Sequence, residues 1–201
     1  LLRELFERAA EMLETGADNP DKAMELIEAR VEVRREGARE ELTRQGVGQE
    51  KVDGFFEAMP RRYFIGHTPK QIARHAKVVL RHAEERVPST GFREMRGGFT
   101  EFILCTADAH GLYSDVAGTL SAHGFNILGS NVYTSRMGLA LEIYRLTSPS
   151  GGPEEREMAW GEFEQSLCGV LGGEISVEGL VRQGRLPLGG PTLPARQPPR
   201  V

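Results

Sequence analysis

Apolar residues recur at helical spacing through residues 1–86 and change to short runs and alternation over 99–183. Leu1, Leu2, Leu5, Phe6, Ala9, Met12 and Leu13 lie on one helical face, and Gly16 ends that run. Asn19-Pro20 reads as an N-cap followed by Pro at the first helical position. The helix it opens is predicted to run to about Gln45, where Gly46 stops it. Its outer face pairs Glu32 with Arg35, Glu36 with Arg39 and Glu40 with Arg44, each pair adding only about 0.2–0.5 kcal/mol. A shorter helix over 49–59 ends at Pro60, and 61–67 reads as irregular. Thr68-Pro69-Lys70-Gln71 is a helix start with a capping box. Ile72, Ala76, Val79, Ala83 and Val87 form the apolar stripe that follows, and 88–98 reads as a hinge.

In the second region, 99–107 predicts a strand, broken by Asp108-Ala109-His110-Gly111. Leu112, Val116, Ala117 and Leu120 make a short helical face closed by Gly124. Two strands over 125–135 and 139–147 flank a tight Arg136-Met137-Gly138 connection. Met158, Trp160, Phe163, Leu167, Val170 and Leu171 give a second helix, and Ile175, Val177 and Gly179 alternate as a last strand. The order is βαββαβ. It predicts an α+β fold with a four-stranded antiparallel sheet and both helices on one face. The predicted organisation is a helical connector over 1–86, a hinge over 87–98, the sheet domain over 99–183 and a tail over 184–201. The tail holds five of the eleven prolines and reads as a semi-rigid linker or as a proline-motif ligand.

Composition narrows the function classes. Among 201 residues, 25 Lys and Arg face 29 Asp and Glu, a formal charge of −4. That balance argues against binding phosphate backbones, so no nucleic-acid partner is expected. No apolar stretch approaches the length of a membrane span, and no basic-then-apolar segment opens the chain. Cys105 and Cys168 sit in apolar runs and read as buried free thiols of a reducing, cytoplasmic compartment. The chain opens on Leu1-Leu2 in mid-helix pattern, as a piece of a longer polypeptide would.

The strongest candidate chemistry lies where the first strand of the second region gives way to a helix. Gly111 permits close backbone approach, and the N–H groups of Gly111, Leu112 and Tyr113 at a helix N-terminus suit a small carboxylate. Asp108 either attracts an ammonium, completing a receptor for a free amino acid, or simply caps the helix. Asn126, just past a helix stop, either faces the same cavity or satisfies its own backbone. His67, His75 and His82 share a neighbourhood, but on a helix His75 and His82 stand about 10 Å apart, too far for one metal. His110, Ser114 and Asp115 lack the strained elbow of a hydrolase, and no phosphate loop is present.

Three segments carry a family resemblance: residues 108–116 (DAHGLYSDV), 123–129 (HGFNILG) and 134–142 (TSRMGLALE). They resemble an ACT domain. With residues 1–8 (LLRELFER), 58–64 (AMPRRYF), Thr68-Pro69 and Ile72-Ala73-Arg74-His75, the chain resembles the C-terminal regulatory segment of the bifunctional [protein-PII] uridylyltransferase/uridylyl-removing enzyme family. That segment comprises the end of an HD domain, a connector and the first of two ACT domains. The resemblance implies a ferredoxin-like ACT fold over 99–183 and a glutamine-sensing, allosteric role in nitrogen regulation. Chemistry and magnesium would belong to other domains of the parent enzyme, and no catalytic residue or metal ligand transfers to this chain. The ligand motif transfers to Asp108, Gly111 and Leu112, and to Asn126 and Ile127; His110 stands where the family usually has Pro. Implied partners are glutamine, a second ACT domain or a second copy of this chain, and the PII protein through the parent enzyme. The alternative is an ACT-type interaction module that holds domains or subunits together without binding ligand.

Overall fold

The computed structural model describes residues 20–149 and 151–183. The helix expected over the first thirteen residues, the Asn19 cap and the proline-rich tail lie outside the described residues. The elements are α1 (Pro20–Arg44), α2 (Gln49–Ala58), α3 (Arg61–Gly66), α4 (Pro69–Glu85), β1 (Ser89–Met95), β2 (Phe99–Ala107), α5 (Leu112–Ala122), β3 (Asn126–Thr134), β4 (Leu139–Thr147), α6 (Pro153–Leu171) and α7 (Val177–Gln183). Two compact units divide them. The first holds the residues through Gly91 with Ile103–Asp108 and Val132–Glu142; the second holds Phe92–Phe102, Ala109–Asn131 and the residues from Ile143 on.

In the first unit α1 packs along α4 and touches α2 and α3. Val31, Ala38 and Leu42 are buried on it. The Glu/Arg lacework forms at Glu32–Arg35 (4.0 Å) and Glu36–Arg39 (3.6 Å), whereas Arg44 takes Glu41 in place of the expected Glu40. Residues 61–66 form a helical turn instead of an irregular segment. It sends both Tyr63 and Phe64, fully buried, into an aromatic cluster with Phe55 and Phe56. Thr68 and Gln71 close the predicted capping box: Gln71 N–H donates to Thr68 Oγ1, and Thr68 N–H donates to Gln71 Oε1. The buried face of α4 is Ile72, Ala73, His75, Ala76, Val78, Val79 and His82. Ala83 and Val87 from the expected stripe are exposed, because the helix turns its apolar face past them and ends at Glu85.

The sheet has the order β1-β2-β4-β3. It is the predicted four-stranded antiparallel α+β arrangement, with the ferredoxin-like order that an ACT fold has. One edge strand comes from a different place than the pattern suggested. The segment read as a hinge is β1, which pairs along β2. The segment read as the last strand instead leads into α7. The alternation of Ile175 and Val177 serves helix packing: a Cβ on Gly169 of α6 would lie 2.4 Å from Ile175 Cδ1, and one on Gly118 of α5 would lie 2.4 Å from Val177 Cγ1. Two helix glycines thus receive two aliphatic side chains at close approach.

The core of the second unit is aromatic. Phe163 is fully buried against Phe102 (5.2 Å), Phe125 (5.6 Å) and Trp160 (5.7 Å between ring centroids). Met158, which the spacing put on the same apolar stripe, instead lies on the outer side of α6 and is 62% exposed. The two cysteines are both free but differ: Cys105 is buried, and Cys168 is exposed because Leu167 and Val170 take the inward positions of α6. Burial pushes the Cys105 thiol up to about 12. Since the thiolate is the nucleophile, a thiol reagent at pH 8 is expected to label one cysteine per native chain quickly and the second only on denaturation. Rapid native labelling of two thiols would contradict this burial.

Candidate functional site

The last residue of β2, Ala107, delivers the chain to Asp108, whose N–H donates to Gly138 O at 2.9 Å. The Asp108 carboxylate is exposed and accepts a hydrogen bond from Thr134 Oγ1 at 3.0 Å. It does not cap α5: the N-cap is Gly111, with no side-chain cap bond. Of the two sequence readings of Asp108, the capping role therefore falls away. Thr134 is a partner that sequence spacing did not expose, because it stands 26 residues downstream.

Gly111 has φ 85° and ψ −8°, a left-handed conformation that costs a residue with a side chain roughly 1–2 kcal/mol. A Cβ there would meet nothing within 4 Å, so the backbone turn, and not crowding, demands glycine. The Leu112 N–H is not free for a ligand, since it donates to Ala109 O at 3.2 Å, and the Leu112 side chain is buried. Among the described residues the N–H groups of Gly111 and Tyr113 have no backbone acceptor. His110 and Gly111 are exposed.

Asn126 opens β3 as an exposed residue and Ile127 is half-buried. The tie between α5 and β3 is one the sequence reading missed. Tyr113 Oη lies 3.1 Å from Ser130 Oγ, and its ring stacks on Tyr144 at 5.9 Å and 13°. A Tyr in the first helical turn and a Ser four residues past Asn126 were the available signals. Most of β3 is open to solvent, including Leu128 and Val132.

The other end of β3 belongs to the first unit, where connector and hairpin meet. Tyr133 is buried against Tyr63 (5.2 Å) and His67 (5.6 Å), and the Arg62 guanidinium lies over its ring at 5.6 Å. Burial raises the Tyr133 hydroxyl pKa and Arg62 opposes that rise. Arg136 N–H, in the β3–β4 turn, donates to Ala58 O at 2.9 Å. His67 and His75 come together as edge-to-face rings 4.8 Å apart, while His82 turns away to bond Val87 O at 2.6 Å. Among the described residues no group of three His, Cys, Asp or Glu is placed to hold a metal, and no helix is long and apolar enough to cross a membrane.

Known proteins match this chain along most of its length. Residues 27–78 match the family model described as the fifth domain of uridylyltransferase GlnD, which falls on α1 to α4. A bifunctional uridylyltransferase/uridylyl-removing enzyme of Gluconobacter oxydans is 31% identical over 180 residues, 88% of this chain and 18% of that protein. In sequence the chain is similar to a segment of bifunctional uridylyltransferase/uridylyl-removing enzymes. Counterparts from Vibrio vulnificus and Caulobacter vibrioides are 28% and 29% identical, over 75% and 76% of this chain. The chain spans less than a fifth of the length of these relatives: 18%, 17% and 16%.

Proposed function

We propose that this chain is the amino-acid-sensing regulatory segment of a cytoplasmic bifunctional PII-protein uridylyltransferase/uridylyl-removing enzyme, that its sheet unit is an ACT domain, and that its ligand is glutamine. The observation that carries the reading is the left-handed Gly111 at the head of α5, in a sheet of ferredoxin-like order and in a chain similar to these enzymes. The α-carboxylate of the amino acid would take the N–H groups of Gly111 and Tyr113, favoured by the helix N-terminus. The exposed Asp108 carboxylate, oriented by Thr134, would take the ammonium, while His110, Asn126 and Ile127 would face the side chain. Leu112 contributes through its buried side chain, which fixes the first turn of α5. Glutamine would act by binding one arrangement of the parent enzyme more tightly than another.

Calorimetric titration of the chain with glutamine tests this. Wild type is expected to bind one glutamine per chain and Asp108→Ala to lose at least about tenfold in affinity, as removal of a charged partner would. Absence of heat from wild type sinks the sensing reading for this ACT copy. A second reading is favoured by the solvent-open β3, with Leu128 51% and Val132 39% exposed: an interaction module whose edge pairs with a second ACT domain or a second copy of the chain. Hydrogen exchange separates the two. Protection at Gly111 and Asn126 that responds to a second ACT domain and not to amino acids selects the module.

A further inference from the structure

The first unit holds a cavity of about 470 Å³ formed by α1, α2, the start of α3 and the β3–β4 turn. Four arginines line it: Arg35 and Arg39 from α1, Arg61 from α3 and Arg136 from the turn. Cavities of this size are those that take small molecules. The guanidiniums are held in place by neighbours. Arg35 sits 4.4 Å over the Phe64 ring, Arg39 sits 5.3 Å over Phe56 and bonds Asp53 at 2.6 Å, and Arg61 Nη1 bonds Glu28 at 2.8 Å.

Their hydrogen-bonding capacity is not used up. The Nε of Arg35 and the Nε and Nη2 of Arg61 are shielded from solvent and have no hydrogen-bond partner among the described residues. Shielded donors without acceptors are rare in folded proteins, and each calls for a partner such as water or an ion. Three carboxylates also line the cavity, Glu32, Asp53 and Glu57. Asp53 is engaged by Arg39, and the Glu32 side chain is 72% exposed and 4.0 Å from Arg35. Glu28 and Glu36 pair with Arg61 and Arg39 from beside the cavity, so the case for an anion rests on the open donors, which are all guanidinium N–H groups. A guanidinium presents its N–H groups as a fork that matches the paired oxygens of phosphate or carboxylate.

We infer that this cavity is a binding site for a small, multiply charged oxyanion, held by the free faces of Arg35, Arg61 and Arg136. Its occupant would bridge the connector helices to the β3–β4 turn, where Arg136 N–H already meets Ala58 O. Such a ligand would stiffen that junction and give the chain an effector input distinct from the Gly111 turn. The inference is independent of glutamine sensing.

The test titrates the full chain with pyrophosphate and with citrate, against sodium chloride at matched ionic strength, by calorimetry and by thermal unfolding. At least one of the two is expected to bind one-to-one and raise the unfolding midpoint, and the better binder identifies phosphate or polycarboxylate as the source. Arg136 is exposed and bonds Ala58 O through its main chain, so Arg136→Ala and Arg136→Glu should fold with unchanged circular dichroism. Arg136→Ala is expected to weaken binding about tenfold, the usual scale for one charge-assisted contact, and Arg136→Glu to abolish it. Failure of both oxyanions to bind beyond the chloride control, or equal binding by wild type and Arg136→Glu, overturns the assignment.

Discussion

Phe163→Ala is expected to lower the unfolding free energy by about 3–5 kcal/mol, the range for removing a fully buried aromatic ring. The ring is wholly shielded and meets three aromatic neighbours, so its loss leaves a void that rigid rings refill poorly. Urea unfolding followed by fluorescence reads this directly, because the single tryptophan, Trp160, stands 5.7 Å from Phe163. Phe92→Ala is the control. Phe92 also stacks on Trp160, at 5.1 Å, but is 54% exposed, and its removal should cost about 1 kcal/mol or less. Equal losses from the two variants would contradict the placement of the core.

Tyr63→Ala is expected to have the largest effect in the first unit, again about 3–5 kcal/mol. Tyr63 is fully buried, packs on Phe55, Phe64, His67 and Tyr133, and shares a 3.0 Å hydrogen bond with His75 Nδ1. Circular dichroism at 222 nm during urea unfolding is the measurement, since α1–α4 supply this unit's helices. Tyr63→Phe keeps the ring and deletes the hydroxyl, so its expected cost is only about 0.5–1.5 kcal/mol. A loss from Tyr63→Phe as large as that from Tyr63→Ala would mean that the hydrogen bond, and not the packing, carries the cluster.

Local signals read from residue spacing survived wherever one element decided its own shape. The Thr68/Gln71 capping box, the stop at Gly46 and the Arg136-Met137-Gly138 turn depend on neighbours within a few residues. Errors arose where a distant partner decided. Ile175 and Val177 alternate as a strand would, but Gly169 and Gly118 on two other helices leave room for them, so they pack as knobs. Residues 89–95 are flanked by proline and glycines and looked like a hinge, yet the free edge of β2 recruits them. The strand position that the pattern assigned to the end of the chain was thus already filled from the front.

The candidate turn divides in the same way. Gly111 was legible because only backbone geometry is asked of it. Asp108's partner Thr134, and the Tyr113–Ser130 tie, depend on strands returning beside the loop, which spacing along the chain does not encode. The arginine-lined cavity was hidden for the same reason. Arg35 and Arg39 look like solvated helix charges until Phe64 and Phe56 are placed beneath them.

The origin of β1 bears on how this polypeptide can be cut. A fragment trimmed to begin at Phe99 would discard the strand flanking β2 and bare a long, apolar hydrogen-bonding rim inviting aggregation. Any excision intended to isolate the sheet must therefore begin upstream of Ser89, and so retain the short link that issues from the end of α4.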